Sequence, residues 1–398
     1  MNAAKMQNKS HFARRTRTGS GLLLLFGVAL LGTTWAANTA PNTKNSPAPG
    51  GGKAVVKQLP GSGNKTPQVY KTVLPNGLTV LVKPGNANQV VAVDLFLNSG
   101  PLYEALNQRG ISSLTQKVLI RGSQSRTARE VAVETESVGA QLSAGVSAEY
   151  AYVSLSTTVD GLAKGLEVFL DLLQHPAFSE VEIVKEKQML VESLSAREDQ
   201  PFDAAYLCFA KNFFAGHPLG VKTEDLVRAV QRLTREDLLA WYEKTYVPSN
   251  MVLSIVGNVD PDALLQQFQS TLGKRPRGKK PEITEVTAQL PAKNRAEYLP
   301  KNTNALFLVL GYPAPDTGSK DALVMDVINR ILGGSSDGRL YMELREKRGL
   351  AYSVFTGYEK MNGRSNIYAI MATAPGNYFG ARDGIVREFR RLTKETVP

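Results

Sequence analysis

The 398-residue chain predicts an α+β protein of two related domains, each a mixed β-sheet covered by helices. Three observations point there. Strand and helix signals alternate from residue 66 onward instead of falling into separate blocks. A strand–loop–helix order occurs twice, over residues 90–119 and again over 306–332, a weak internal repeat. Between the halves lies GKRPRGKK at 273–280, basic and proline-containing, which reads as an exposed linker whose charges are solvated. The expected segments are therefore 66–275 for the first domain, 276–295 for the linker and 296–398 for the second domain. Hydrophobic content of 42% and charged content of 21% suit a globular protein with ample core.

The amino-terminal region is of a different kind. Residues 1–36 carry Lys5, Lys9, Arg14, Arg15 and Arg17 and no acid, followed by the apolar run GLLLLFGVALLG at 21–32 and Thr-Thr-Trp-Ala. That is the layout of a secretory signal, with cleavage expected after Ala36 and an exported, periplasmic or extracellular protein as the result. The run is shorter than the roughly 20 apolar residues of a transmembrane helix, so no stable membrane insertion is expected after cleavage, a retained anchor being the alternative. Residues 37–65, rich in Pro, Gly, Asn and Lys, read as a disordered tether. The net charge of +11 is concentrated here: nine unopposed basic residues precede position 66, leaving +2 for the rest. A nearly neutral folded part argues against a nucleic-acid partner. Cys208, the single cysteine, sits in the apolar run AAYLCFA and suits packing better than catalysis.

In the first half, residues 69–74 and 78–82 flank Pro75-Asn76-Gly77 and form a hairpin with an Asn-Gly turn, followed by a strand over 90–97. In the stretch 109–123 (RGISSLTQKVLIRGS), Ile111, Leu114, Val118 and Leu119 recur at helical spacing. Residues 140–156 alternate as two strands around a turn. Helices are expected over 161–174, 180–197, 202–214 and 234–246, and a strand over 251–256. Of three histidines, His11 lies in the signal, while His175 and His217 precede prolines at element ends. In the second half a strand over 304–311 leads to a helix over 320–332, and a strand over 366–374 to a basic helix over 379–393.

The stretch 332–354, LGGSSDGRLYMELREKRGLAYSV, joins these. A glycine-serine loop opens it, an amphipathic run from Arg339 to Lys347 follows, and Gly349 caps the helix before a β-prone segment. Arg345 and Tyr352 are separated by a helix end and a turn, so a guanidinium and a phenol can converge on one spot. This stretch resembles the second-domain signature of the pitrilysin/insulinase family of zinc peptidases, which includes the mitochondrial processing peptidases. The resemblance extends over residues 66–398 and implies a half-clam-shell peptidase fold. It implies that Arg345 and Tyr352 touch substrate opposite the zinc; the plain alternative is a solvated Arg345 paired with a helix neighbour such as Tyr341. It also implies one more strand–helix portion after residue 393, so the second domain is expected to be truncated or completed differently, with an open sheet edge in the first case.

In that family the helix at 109–123 carries His-x-x-Glu-His, whose histidines hold zinc and whose glutamate activates the bound water. Here those positions are Ser113, Gln116 and Lys117. A neutral hydroxyl is a poor zinc ligand, an amide cannot accept a proton as a base must, and an ammonium opposes a divalent cation. The third ligand, a glutamate on the helix at 180–197, falls at Ser193 or, one residue earlier, Glu192, and one carboxylate would not hold zinc. Leu142, Ser143 and Ala144 match the edge strand that takes peptide as an added strand, an ordinary hairpin being the equal alternative. These matches lead to a member without catalytic residues or zinc of its own. It would be the inactive subunit of a two-chain exported metallopeptidase, supplying Arg345 and Tyr352 to a zinc-bearing partner that cleaves peptides. The alternative is a non-catalytic structural or peptide-binding scaffold subunit; an autonomous zinc peptidase is the third reading.

Overall fold

The computed structural model describes residues 55–59, 69–283 and 294–397, all within one compact unit. The expected signal peptide (1–36), its cleavage site and most of the tether (37–65) lie outside the described residues, as do residues 284–293 of the linker. One part of the tether is corrected: Val55–Leu59 forms a strand, β1, antiparallel to β2 (Val69–Val73), with Val55 opposite Val73. The backbone there is paired because β2 offers a free edge beyond its bonds to β3 (Thr79–Pro84).

The β2–β3 turn is where the Asn-Gly signal sits. Gly77 adopts φ +91°, the left-handed conformation that glycine tolerates. Asn76 does more than turn the chain: its amide donates to the carbonyls of Leu272 (2.9 Å), Gly273 and Arg275, fastening the first hairpin to the end of the first half. The remaining strands of this half are β4 (Val90–Asn98), β5 (Gln141–Val146), β6 (Tyr150–Thr158) and β7 (Met251–Gly257). They complete a seven-stranded sheet in the order β1-β2-β3-β7-β4-β6-β5. Only β3 and β7 run parallel, so the sheet is mixed as expected. β5 is its edge.

Among the described residues eight α-helices belong to this half: α1 (Ile111–Leu119), α2 (Ala128–Glu136), α3 (Leu162–Gln174), α4 (Glu180–Asp199), α5 (Pro201–Phe213), α6 (Thr223–Arg232), α7 (Arg235–Thr245) and α8 (Pro261–Ser270). Three of them, α2, α6 and α8, are additions to the sequence reading. Two had signals in plain view: Thr127 and Glu130 form a reciprocal capping box at the start of α2, and Asp260 caps α8 just before Pro261. Val80, Val93, Leu95, Val153, Leu155, Leu253 and Ile255 from the strands meet Ile111, Leu114, Phe169, Leu173 and Trp241 from the helices in one buried core. Cys208, on α5, is half-buried; burial pushes its thiol pKa up and keeps it protonated.

The second half repeats part of this plan. Its strands β8 (Leu306–Pro313), β9 (Ser353–Glu359) and β10 (Asn366–Thr373) form an antiparallel sheet in the order β8-β10-β9, the order of β4-β6-β5. The helix α9 (Ala322–Leu332) follows β8 as α1 follows β4. Beside β4 stands β7; beside β8 no strand is found among the described residues. One face of the sheet packs on a π-helical segment, Tyr341–Lys347, and on α10 (Tyr378–Leu392), through Leu344, Ile385, Val354, Ala369 and Met371.

The other face is covered by a helix of the first half. Phe202 of α5 stacks edge-on against Phe307 of β8 at 4.9 Å, and Tyr206 meets Tyr368 of β10 at 5.0 Å. Gly311 lets the Phe209 ring approach to where a Cβ would be 2.3 Å away. Tyr206 also donates to Glu359, Arg364 donates to the Phe213 carbonyl at 2.6 Å, and the Asn362 amide donates to Glu149 at 2.8 Å. The linker is likewise less free than its composition suggests. Its start is held down, Ser249 donating to the carbonyls of Arg277 (from its backbone) and Gly278 (from its hydroxyl).

Candidate functional site

The site is built on α1 and the strand edge beside it. Gly110, at φ +86°, turns the chain into the helix. Glu104, only 2% exposed, accepts from the backbone amides of Gly110 (2.9 Å) and Ser112 (3.0 Å), satisfying donors that a helix start leaves free. Arg109 is buried beside it and donates to the Pro101 carbonyl at 2.7 Å. Burial lowers its pKa, an effect that Glu104 opposes. At the far end Arg121 pairs with Glu186 of α4 at 2.5 Å, and Glu186 is only 1% exposed. Both ends of α1 are therefore held by buried carboxylates. Neither contact was legible beforehand, because nothing in the spacing of Glu104 or Glu186 marks them.

The four positions compared with the zinc motif have separate fates. Gln116 points inward and is 2% exposed; its amide donates to the hydroxyl of Tyr246 at 2.6 Å, while its carbonyl oxygen has no hydrogen-bond partner. Tyr246 is fully buried, which drives its phenol pKa far above the usual value. Ser113 and Lys117, one turn apart, share the half-buried face of the helix. Lys117 makes no ion pair or hydrogen bond among the described residues. Ser193 lies exposed on α4, its hydroxyl spent on the Leu190 carbonyl of its own helix at 2.8 Å; Glu192, also exposed, accepts from Gln188. Among the described residues no three His, Cys, Asp or Glu side chains converge to hold a metal. A hydroxyl, an amide that presents its N–H, and an ammonium do not fit zinc.

Beside α1 runs β5. Leu142, Ala144 and Val146 are half-buried and pack on the core that contains Ile111, Leu114 and Val118; Gln141 and Ser143 are exposed on the opposite face. β6 takes one side of β5, with Leu142 opposite Leu155 and Ser143 opposite Ser154. Its other side carries no strand among the described residues, which is what an added peptide strand requires.

Arg345 and Tyr352 lie on the second half. The π-helical segment buries Leu344 and ends at Gly349, whose φ of +60° permits the bond from the Leu350 amide to the Leu344 carbonyl at 2.7 Å. Arg345 is exposed and its guanidinium sits over the Tyr341 ring at 4.9 Å. Tyr352 is 60% exposed, held by its backbone to Ala372. No hydrogen bond or ring contact joins Arg345 to Tyr352 among the described residues. His217 caps the turn at Pro218 through Nδ1, which accepts from the Leu219 amide; His175 lies exposed at the end of α3 beside Asp171.

An open-edged mixed sheet backed by a buried helix, with a second sheet repeating the order of its outer three strands, defines a two-domain peptidase-like half shell. Residues 79–225 match the description "Insulinase (Peptidase family M16)" and residues 232–398 match "Peptidase M16 inactive domain". The chain belongs to this pitrilysin/insulinase family of zinc peptidases, as a member without the His-x-x-Glu-His motif. It is 28% identical over 303 residues to an uncharacterized zinc protease of Rickettsia felis, covering 75% of this chain and 72% of that one. Its fold is similar to that of a protease from Helicobacter pylori (TM-score 0.76, 21% identity, 84% of this chain and 82% of that chain). It is similar also to a peptidase M16 inactive domain from Pseudomonas fluorescens (TM-score 0.74, 22% identity, 83% and 80%).

Proposed function

We propose that this chain is the zinc-free subunit of an exported two-chain peptidase, presenting Arg345 and Tyr352 to a zinc-bearing partner of the same family. The observation that carries the reading is the state of α1. The family's ligand helix is intact and firmly held, yet it offers Ser113, Gln116 and Lys117 where metal chemistry needs two imidazoles and a carboxylate. Tyr352, with its phenol open to solvent, suits donation to a carbonyl oxygen that gains charge, and Arg345 suits orientation of that phenol or of a substrate carboxylate. The open edge of β5 at Leu142–Ala144 suits capture of an extended peptide.

One observation favours a second reading, a peptide-binding scaffold with no catalytic duty: Arg345 is already engaged by Tyr341. Peptide cleavage and bound zinc should be measured for the mature chain alone and mixed with an intact His-x-x-Glu-His relative from the same organism. Activity only in the mixture, lost in Arg345→Ala or Tyr352→Phe, supports the two-chain reading. A lone chain that binds zinc and cleaves refutes it, and chains that associate without activity leave the scaffold.

A further inference from the structure

We infer that Lys117 is a carboxylate receptor: a peptide added along β5 is selected for an acidic side chain or a free carboxyl terminus that reaches this ammonium. The inference rests on the reading of β5 as the peptide edge and adds the chemistry of what binds there.

Three observations combine. Lys117 is half-buried, yet forms no ion pair or hydrogen bond among the described residues. Its charged neighbour Arg121, one turn further on, is already neutralised by Glu186. The Lys117 ammonium, on the accessible flank of the helix and without a counter-charge among the described residues, is free to form a charge-assisted hydrogen bond to a ligand carboxylate. The second observation is direction. Leu142, Ala144 and Val146 of β5 point to the side of the sheet where α1 packs, and alternate residues of an added strand point the same way. Every second side chain of a bound peptide is thus directed to the α1 side. The third is the company Lys117 keeps: Ser113, one turn before it on the same face, adds a hydroxyl that donates to a carboxylate oxygen. A helix face that cannot hold a cation is in this way equipped to hold an anion.

The test uses the mature chain and three unstructured fluorescent peptides of one parent sequence: neutral with an amidated end, the same with one Asp, and the neutral sequence with a free carboxyl terminus. Binding is read by anisotropy, and its location by slowed amide exchange in β5. At least one carboxylate peptide should bind about tenfold tighter than the neutral one, the arm that does so identifying the source. Lys117→Gln should abolish the difference without altering the neutral peptide's affinity, and Lys117→Arg should keep it. Unchanged neutral binding in Lys117→Gln also shows that the variant is folded. Neutral binding at β5 with no carboxylate preference, or a preference that survives Lys117→Gln, overturns the role of Lys117 and leaves the peptide edge standing. If no peptide binds, or none slows exchange in β5, both fall.

Discussion

Gln116 donates its amide to the hydroxyl of Tyr246 at 2.6 Å, in a place where both side chains are shut off from water. The pair fastens α1 to the end of α7, so the polar groups of Gln116 and Tyr246 serve packing. Removing one partner strands the other without a hydrogen bond. Gln116→Leu should cost about 1–3 kcal/mol in urea unfolding, as should Tyr246→Phe to a lesser degree, and the double variant should cost less than the sum. Strict additivity would mean that the contact contributes nothing.

Restoring the motif tests whether these positions carry the correspondence assigned to them. Ser113→His, Gln116→Glu, Lys117→His and Ser193→Glu together should confer stoichiometric zinc by elemental analysis, while the parent chain takes up none above background. If the three α1 substitutions bind zinc equally well without Ser193→Glu, the third ligand is Glu192, one place earlier.

Arg345 and Tyr352 are exposed, so their substitution should leave the fold nearly untouched. Tyr352→Phe should shift unfolding by no more than about 0.5 kcal/mol. Arg345→Ala should lose at most about 1 kcal/mol, the usual scale of an exposed cation over a ring such as Tyr341. A loss of several kcal/mol in either would make the pair structural.

His217 gives the acid limb of the stability profile. Burial, reinforced by the charges of Arg364 and Arg109, lowers its pKa from 6.5 to about 4. The unfolded chain therefore takes up this proton first, so stability should be full above pH 6.5 and fall progressively down to about pH 4. His217→Gln should flatten that part of a melting-temperature series. A slope unchanged in the variant would place the effect on other groups.

Much of this was determined by sequence alone. The alternation of β4 and β6, the Asn-Gly turn, the faces of α1 and α3 and the glycine end at Gly349 follow from local periodicity and backbone freedom, which neighbouring residues settle among themselves. So does the absence of imidazole and carboxylate from Ser113, Gln116 and Lys117, since residue type is the sequence. The edge position of β5 came from resemblance, and the strand order bears it out.

Other features were decided only in three dimensions. β1 escaped notice because a short strand in a Pro/Gly-rich stretch is defined by the edge it finds, not by its own pattern. The helix α5 belongs to the first half in sequence but covers the second half's sheet, because Phe202, Tyr206 and Phe209 complete a core whose other members lie about a hundred residues or more away. Arg345 rests on Tyr341, and Glu104 and Glu186 clamp the ends of α1, through contacts whose partners only the fold brings near. Local structure is set by neighbours along the chain, whereas pairing, burial and charge partnership depend on which distant residues the chain brings together, and that information is spread over the whole sequence.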